Sequence, residues 1–382
     1  MIAAGIGALS CLIWVVLIAG WGRFWRISTT TDGLTLHPGL APRVAVVVPA
    51  RDEADVIGQA VRSLLEQVYP GPLHIFVVDD HSTDDTSGAV AAAVQGRNDR
   101  VTLLSAAPLP AGWTGKMWAL AQGVERASEF SPEYFLFTDA DIVHAPGSIN
   151  SLVAMAQAHA LDMVSMMVKL ECSSVAERAL IPAFVFFFFM LYPPAWVNDR
   201  RKRTAGAAGG DILVRAEALR EAGGIAAIRN ELIDDCALAR EIKRHGGIWL
   251  GLTRNAASIR SYHGFGGIGR MISRNAFYQL RHSVWLLLGT LLGLGITFLA
   301  PPVLVFFGGW ASVFGGLAWL GMSLCFLPMV RFYGLPPLWA VTLPLVALFY
   351  AGATLHSAAQ YWIGRGGEWK GRAQDTGATE GN

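Results

Sequence analysis

Pairs of aspartates stand out in a chain that is 53% hydrophobic and only 15% charged. The stretch FLFTDADI carries Asp139 and Asp141 after an apolar run, and the stretch VVDD carries Asp79 and Asp80. Two carboxylates at the end of a buried strand repel each other and lose hydration, so such a pair is favourable mainly when it binds a cation. Oxygen ligands suit Mg²⁺ or Mn²⁺, and Mg²⁺ commonly joins carboxylates to substrate phosphates. The pattern favours a site for phosphate and a metal ion.

Structural roles are the alternative for these carboxylates. Asp139 or Asp141 could cap the helix that begins near Ser148, or form an Asx turn. In IDDCALAREI, Asp234 and Asp235 stand at the start of a predicted helix, where a cap is also expected. Capping accounts for only one aspartate of that last pair, so a chemical role for the other stays open.

Alternating strand and helix patterns predict where these residues lie. Short β-branched or aromatic runs occupy residues 43–50, 73–80, 100–105 and 134–141. Between the first two runs, apolar residues recur at helical spacing from Val56 to Val68. This alternation predicts an α/β fold with a mainly parallel sheet and helices on both faces. Ligands of such sheets bind outside the carboxyl ends of the strands, where both aspartate pairs fall.

An uncharged segment precedes this region. No charged side chain occurs from Met1 to Trp21, and Arg23 and Arg26 follow at once. The length fits one crossing of a bilayer, so we predict a transmembrane helix over residues 1–22. The basic residues place the following region in the cytoplasm by the positive-inside rule, and they lie on the wrong side for a cleaved signal peptide.

Further apolar segments lie toward the other end of the chain. Residues 284–330 contain no Asp, Glu, Lys, Arg or His. We predict about three transmembrane helices over residues 284–363, followed by a disordered tail over residues 364–382. Within residues 181–203, about 16 apolar residues precede NDRRKR, a length and charge pattern typical of an interfacial or re-entrant segment. A buried core helix and a solvated loop are the alternatives for that segment.

Composition argues against several classes of function. The net charge is +1 and no basic stripe is interleaved with aromatic residues, so a nucleic-acid partner is not expected. The four cysteines have no metal-type or redox-type spacing. A transporter would carry charged residues inside its spans, and a non-catalytic scaffold would not need the aspartate pairs. A phosphotransferase or nucleotidyltransferase shares the same metal and phosphate chemistry.

Five stretches in a fixed order carry a family resemblance: VVVPARDEADVIGQAVRSLLEQ, VVDDHSTDDT, GWTGKMWAL, FTDADI and DDCALAREIKRHG. This set, over about residues 43–265, resembles the family 2 glycosyltransferases, whose nucleotide-binding fold is called GT-A. The resemblance implies inverting transfer of a sugar from a nucleotide-diphosphate sugar with the help of Mg²⁺ or Mn²⁺. UDP is the nucleotide expected from its frequency in the family.

The overall layout is similar to that of the hopene-associated glycosyltransferases of bacterial hopanoid gene clusters. A leading span precedes the GT-A domain, and a hydrophobic region follows it. This resemblance implies a lipid acceptor and a multi-pass protein of the bacterial inner (cytoplasmic) membrane, with the catalytic domain facing the cytoplasm.

The family pattern also implies roles for individual residues. Asp235 would be the catalytic base, and Asp234 stands where the family has glutamate. The residues expected to bind the nucleotide sugar are Pro49, Glu53, Asp79, Asp80, Lys116 and Asp139. The residues expected on the acceptor side are Gly209, Gly210, Asp234 and Arg274. The residues expected to bind the metal ion are Asp139 and Asp141.

Two of these residues have simpler alternative roles. The Glu53 carboxylate could instead complement the dipole at a helix N-terminus. Lys116 could be an ordinary solvated lysine rather than a ligand of the diphosphate. The sequence does not decide between these roles and the family roles.

One motif departs from the family's processive members. Polysaccharide synthases carry Gln-x-x-Arg-Trp after the base motif, and the corresponding stretch here is MISRN, residues 271–275. Arg274 matches, whereas Met271 and Asn275 replace the glutamine and the tryptophan. The departure favours transfer of one sugar to a lipid hydroxyl; the alternatives are a polyprenyl-phosphate or polysaccharide glycosyltransferase. Arg270 and Arg274 could instead anchor an amphipathic helix.

Overall fold

The computed structural model describes residues 1–27, 34, 36, 39, 41–96, 98–364, 368–369 and 372–373. The chain divides into two compact units. The sheet unit comprises Ser28–Leu170, Trp196–Arg260 and Glu368–Asn382. The helical unit comprises Met1–Ile27, Glu171–Ala195 and Ser261–Gly367.

Eight strands form the main sheet, and two more form a short pair near the end of the chain. The strands are β1 (Val44–Ala50), β2 (Leu73–Asp79), β3 (Val101–Ser105), β4 (Tyr134–Thr138), β5 (Ile142–His144), β6 (Met163–Lys169), β7 (Asp211–Arg215), β8 (Ile248–Ser258), β9 (Glu368–Trp369) and β10 (Arg372–Ala373). The β9–β10 pair is antiparallel and falls in the predicted disordered tail, residues 364–382. The rest of that tail beyond Gly364 lies outside the described residues.

Fourteen α-helices occur in the described part of the chain. They are α1 (Ile2–Gly20), α2 (Ile57–Leu65), α3 (Thr86–Val94), α4 (Gly115–Ser128), α5 (Ser148–Ala158), α6 (Val175–Leu191), α7 (Pro194–Val197), α8 (Ala216–Glu221), α9 (Asp234–Lys243), α10 (Gly264–Gln279), α11 (Val284–Leu294), α12 (Ala300–Leu304), α13 (Gly309–Phe332) and α14 (Leu343–Trp362). Short 3₁₀ turns (Asn98–Arg100, Ile225–Ile228, Val305–Phe307 and Pro337–Thr342) and one π-helical turn (Gly295–Leu299) complete the regular structure.

The main sheet is mixed, with the strand order β3-β2-β1-β4-β7-β6-β8-β5. The first four strands in this order are parallel to one another, as the sequence predicts. Strand β7 then runs antiparallel to both β4 and β6, and β5 runs antiparallel to β8. Strands β6 and β8 are again parallel, so four of the seven neighbouring pairs are parallel and the prediction of a mainly parallel sheet is confirmed. The connection between the antiparallel strands β6 and β7 includes residues 171–195, which belong to the helical unit.

Both faces of the parallel half are covered by helices. On one face, Val46 and Val48 belong to a buried core shared with Ile57 of α2 and Leu152 of α5. On the other face, α4 packs so closely that a Cβ atom at Gly123 would lie 2.4 Å from Val47 Cγ1. Burial on both faces accounts for the uninterrupted apolar run in β1. This packing also fixes α4, whose N-terminus carries a predicted site residue.

Five helical segments are long and apolar enough to cross a membrane. They are Ile2–Gly20, Val175–Val197, Val284–Phe307, Gly309–Phe332 and Pro337–Trp362. Four of them fall within the predicted spans at residues 1–22 and 284–363. The fifth overlaps the predicted interfacial segment at residues 181–203.

The apolar segment around α6 is longer than the sequence analysis predicts. The helix begins at Val175 because Ser174 and Glu177 form a capping box, in which each side chain bonds to the backbone of the other residue. The buried Glu177 carboxylate also accepts a hydrogen bond from Tyr262 N at 2.9 Å. Length alone therefore does not exclude α6 from spanning a bilayer.

Candidate active site

Three segments of the sheet unit bring acidic residues around one lysine. Lys116 lies in the first turn of α4, whose N-cap Thr114 accepts a hydrogen bond from Met117 N. The Lys116 Nζ atom lies 2.9 Å from Asp139 Oδ1 and 3.3 Å from Asp234 Oδ2. Asp139 follows β4, and Asp234 begins α9. Residues that the sequence places far apart thus meet at the carboxyl end of the sheet's parallel half.

The lysine remains a cation in this setting. Burial alone would lower the pKa of Lys116, but the Asp139 and Asp234 carboxylates outweigh burial and raise that pKa above its usual value. Its side chain is 19% exposed, so a bound group can reach it from solvent. A charged, partly enclosed ammonium group at a helix start suits a phosphate ligand.

Asp235 has the properties of a proton acceptor. Burial and the neighbouring Asp234 carboxylate raise the pKa of Asp235 to about 7, although Lys116 opposes the rise. One carboxylate oxygen accepts a hydrogen bond from Cys236 N at 2.7 Å, which fixes its orientation. A carboxylate that titrates near neutral pH is well matched to general-base catalysis.

Gly209 leaves space beside this carboxylate. A Cβ atom at Gly209 would lie 3.4 Å from Asp235 Oδ2 and 3.6 Å from Lys116 Nζ. A Cβ atom at Gly210 would instead meet Val168 and Ile142. Of the two predicted acceptor-side glycines, only Gly209 borders the acidic cluster.

A small pocket opens onto the cluster. Its polar lining includes Lys116 and the carboxylates of Asp139, Asp234 and Asp235. The remaining lining residues are Pro49, Met117, Leu120, Phe137, Thr138, Gly209, Ile212, Ile225, Ile228 and Leu238. Apolar walls exclude water and so strengthen the electrostatic interactions of the charged groups. We call Lys116, Asp139, Asp234 and Asp235 the Lys116 cluster.

A second ionic group holds two other predicted residues. Arg260 Nη2 donates to Glu53 Oε1 at 2.7 Å and Oε2 at 2.6 Å, and Arg260 Nε donates to Asp141 Oδ2 at 3.2 Å. Ser258 Oγ donates to the same Asp141 oxygen at 2.7 Å. We call Glu53, Asp141, Ser258 and Arg260 the Arg260 cluster. The sequence analysis missed Arg260 and Ser258, because no recognisable motif surrounds them.

The predicted nucleotide ligands at the end of β2 bond to nearby protein groups. Asp79 Oδ1 accepts a hydrogen bond from Ser82 N at 2.9 Å, within the loop that leads to α3. Asp80 is fully buried, and its Oδ2 lies 3.7 Å from Arg51 Nη1. The strand β2 is the direct neighbour of β1, which carries Pro49. Contact of Asp79 and Asp80 with a nucleotide stays a prediction.

Arg274 differs from the other predicted site residues in its location. It lies on α10, in the helical unit, where its Nε donates to Asn275 Oδ1 at 3.3 Å. All other predicted site residues lie in the sheet unit. A role for Arg274 on the acceptor side stays a prediction.

The donor groups for a metal ion fit only in part. Asp139 and Asp141 supply carboxylate oxygens on one short turn, and Asp139 is 37% exposed, so a cation carried by a diphosphate can reach it. Each aspartate already has a cationic partner, Lys116 or Arg260. Among the residues that the structure describes, no group of three or more His, Cys, Asp or Glu side chains is arranged to hold a metal ion. Phosphate and water oxygens would have to complete the coordination.

Comparison with known proteins identifies the family. The family profile described as glycosyltransferase like family 2 matches residues 42–251, which is more than half of the chain. The chain belongs to this family. Its glycosyltransferase family 2 domain thus contains the Lys116 cluster and most of the main sheet.

A solved structure supports the GT-A fold of the family 2 domain. A mannosyltransferase from Pyrobaculum calidifontis, solved with GDP-Man and Mn²⁺, has a TM-score of 0.59 and 19% identity, covering 92% of this chain and 99% of that one. Glucosyl-3-phosphoglycerate synthase from Mycobacterium tuberculosis, solved with Mn²⁺ and UDP, has a TM-score of 0.44 and 19% identity, covering 67% of this chain and 85% of that one. Only the first score is high enough to indicate a shared fold.

A curated relative matches over a shorter region. An N-acetylglucosaminyltransferase from Azorhizobium caulinodans is 38% identical over 88 residues. The match covers 22% of this chain and 22% of the relative's length.

Proposed function

We propose that this protein is a membrane-bound, inverting, non-processive glycosyltransferase that moves one sugar from a nucleotide-diphosphate sugar to a lipid hydroxyl. The observation that carries the proposal is the Lys116 cluster, in which a proton acceptor and a cation lie side by side in one pocket. Membership of glycosyltransferase family 2 supports the reaction class.

Asp235 is the base in this reaction. The acceptor O–H bond breaks as the acceptor oxygen attacks the anomeric carbon, and the proton passes to the Asp235 carboxylate. The bond from the anomeric carbon to the diphosphate oxygen breaks in the same displacement, which inverts the configuration. The pKa of about 7 suits this role, because the carboxylate is partly ionised at neutral pH yet basic enough to hold the proton.

Lys116 binds the diphosphate. Its charge is balanced in the free protein by Asp139 and Asp234, and a diphosphate would share or replace these partners. Negative charge grows on the diphosphate as the sugar leaves, so a nearby ammonium group stabilises the transition state more than the ground state. Gly209 keeps the space between base and lysine open for the reacting groups.

Asp139 and Asp141 are the residues that would hold Mg²⁺ or Mn²⁺. When bound, a divalent cation supplies further neutralisation of the departing diphosphate. The donor nucleotide that we propose is UDP, on family frequency alone.

A membrane location is supported by the five apolar helical segments. The segment Val175–Val197 lies between β6 and β7, which are hydrogen-bonded neighbours in one sheet. A single crossing by this segment would put two paired strands on opposite sides of the bilayer, which is impossible. We therefore propose that α6 lies at the membrane interface or re-enters on the same side, and that the other four segments cross.

The acceptor follows from this arrangement. A family 2 domain attached to apolar helices is well suited to a hydroxyl carried by a membrane lipid. We propose a hopanoid as that lipid, from the similarity in layout to the hopene-associated members. The location would be the bacterial inner membrane, with the sheet unit facing the cytoplasm, since Arg23 and Arg26 follow α1.

The experiment that tests this function is lipid mass spectrometry. Cells with and without the gene would be compared, and purified protein would be incubated with UDP-sugars and the lipid extract. We expect a lipid whose mass increases by one sugar, and no such product from Asp235→Asn. The control Asp199→Asn removes a carboxylate whose partner is the exposed Arg201, and it should form normal product. Equal product from Asp235→Asn and the native protein would refute the proposal.

A further inference from the structure

Arg260 joins three segments of the sheet unit at one point. Its guanidinium group bonds to Glu53, which precedes α2, and to Asp141, in the turn before β5. Arg260 itself follows β8, and its backbone N donates to Ser258 Oγ at 3.3 Å. The bonded residues are separated from Arg260 by 207 and 119 positions in the chain. The contact is therefore a product of the fold.

The Arg260 cluster places two carboxylates around one cation. The side chains of Glu53 and Asp141 are each only 10% exposed, and that of Arg260 is 34% exposed. Two poorly hydrated carboxylates in this position would repel each other without the guanidinium. Arg260 thus pairs with both carboxylates and holds Asp141 in a fixed orientation.

The Arg260 guanidinium lies beside the Asp141 carboxylate, which would also attract a metal ion. An ion on Asp141 would come close to Arg260 Nε, which lies 3.2 Å from Asp141 Oδ2. Like charges at such a distance, in a partly buried setting, repel strongly. Arg260 and a divalent ion are therefore competitors for the Asp141 carboxylate. A diphosphate that arrives with the ion brings negative charge and offsets the repulsion.

We propose that Arg260 is a positioning residue that pairs with the Asp141 carboxylate in the free protein and keeps the affinity of Asp141 for free divalent ions low. Arg260 releases Asp141 when a metal ion arrives with a nucleotide diphosphate. This inference rests on the proposed function. It explains why both aspartates of the DAD stretch are paired with cations in the free protein.

Binding of Mn²⁺ to the purified full-length protein tests the inference without an activity assay. Electron paramagnetic resonance reports free Mn²⁺ during a titration. In the absence of nucleotide we expect Arg260→Gln to bind Mn²⁺ about tenfold more tightly than the native protein, because the competing cation is gone. Arg260→Lys, which keeps the charge, should stay near the native affinity. Unchanged or weaker binding by Arg260→Gln would overturn the inference.

The matched control is Arg215→Gln. Arg215 Nε donates to Asp162 Oδ1 at 2.7 Å, so this variant also loses a guanidinium–carboxylate pair of the sheet unit. Its Mn²⁺ affinity should equal that of the native protein. A rise as large as that of Arg260→Gln would show a general charge effect and would also overturn the inference.

A second titration uses only the native protein and remains decisive if Arg260→Gln does not fold. UDP should raise the affinity of the native protein for Mn²⁺ by about tenfold or more, beyond the Mn²⁺ that UDP itself binds in solution. Equal affinities with and without UDP would overturn the inference. Failure of the proposed function would look different, because the native protein would then bind no Mn²⁺ in either condition and transfer no sugar.

Discussion

The substitution Asp211→Asn should stabilise the protein in a strongly pH-dependent way. Asp211 is the first residue of β7 and is buried opposite Thr138 of β4. Within the part of the chain that the structure describes, neither carboxylate oxygen has a hydrogen-bond partner. Burial raises the pKa of Asp211 from 3.8 to about 8. The folded protein therefore keeps this carboxyl group protonated at neutral pH, while the unfolded chain ionises it.

The direction of the effect follows from proton linkage. Between pH 4 and pH 8 the folded state holds more protons at this site than the unfolded state, so stability falls as the pH rises. The stability that protonated Asp211 contributes is fully present below pH 4, and it is completely lost above pH 8. The slope is about 1.4 kcal/mol per pH unit, which gives a loss of about 4 kcal/mol at pH 7 and about 6 kcal/mol above pH 8. Asparagine cannot ionise and avoids this loss.

Thermal unfolding in detergent micelles from pH 4 to pH 8 measures the effect. We expect Asp211→Asn to gain in melting temperature relative to the native protein as the pH rises, with the smallest difference near pH 4. The control Asp162→Asn removes a carboxylate that pairs with Arg215, and it should lower the melting temperature at pH 7. A constant difference between Asp211→Asn and the native protein across this range would refute the reasoning.

The remaining predictions concern packing and ligand binding around the Lys116 cluster. Gly123→Ala would place a Cβ atom 2.4 Å from Val47 Cγ1, so α4 must shift. We expect denaturation to show a loss of about 1 to 3 kcal/mol in the free energy of unfolding. An unchanged free energy of unfolding would show that α4 is not so closely packed. Gly209→Val would fill the space beside Asp235. We expect the rate of sugar transfer to fall about 100-fold while the thermal stability stays native. Full activity would show that the reacting groups do not use this space. Lys116→Met should weaken binding of UDP, measured by calorimetry, and native affinity would exclude Lys116 as the diphosphate ligand.

The residues of the Lys116 cluster could be predicted from the sequence because each belongs to a local pattern. Asp139 follows an apolar strand, Lys116 begins a helix after a glycine-containing loop, and Asp235 begins another helix. Strand ends and helix starts collect at one edge of an α/β sheet, so the positions alone suggested a shared site. The structure adds the pairing of Lys116 with Asp139 and Asp234, which depends on side-chain geometry.

Other features depend on contacts that no local pattern records. Arg260 meets Asp141 and Glu53 only because β8 ends beside the turn that precedes β5. Asp211 is buried at the start of β7, which pairs with β4, and no local pattern of the sequence records this pairing. A buried carboxylate without a partner is rare enough that sequence patterns would place it on the surface.

The start of α6 was missed for a different reason. A capping box between Ser174 and Glu177 extends the helix in front of the apolar run, whereas the sequence analysis measured only the run itself. Hydropathy patterns thus located the segment but not its length. The proposed role of the segment rests on the pairing of β6 with β7, which is a property of the sheet.

The dependence of single-turnover sugar transfer on pH, compared between the native protein and Asp235→Asn, tests the central claim most directly. If Asp235 is the base, the native rate rises with pH and levels off above about pH 7, where the carboxylate is ionised. Asp235→Asn should bind the donor with native affinity, transfer sugar at least about 100-fold more slowly, and lose that dependence on pH. A variant that keeps the native rate and the native pH profile would contradict the account.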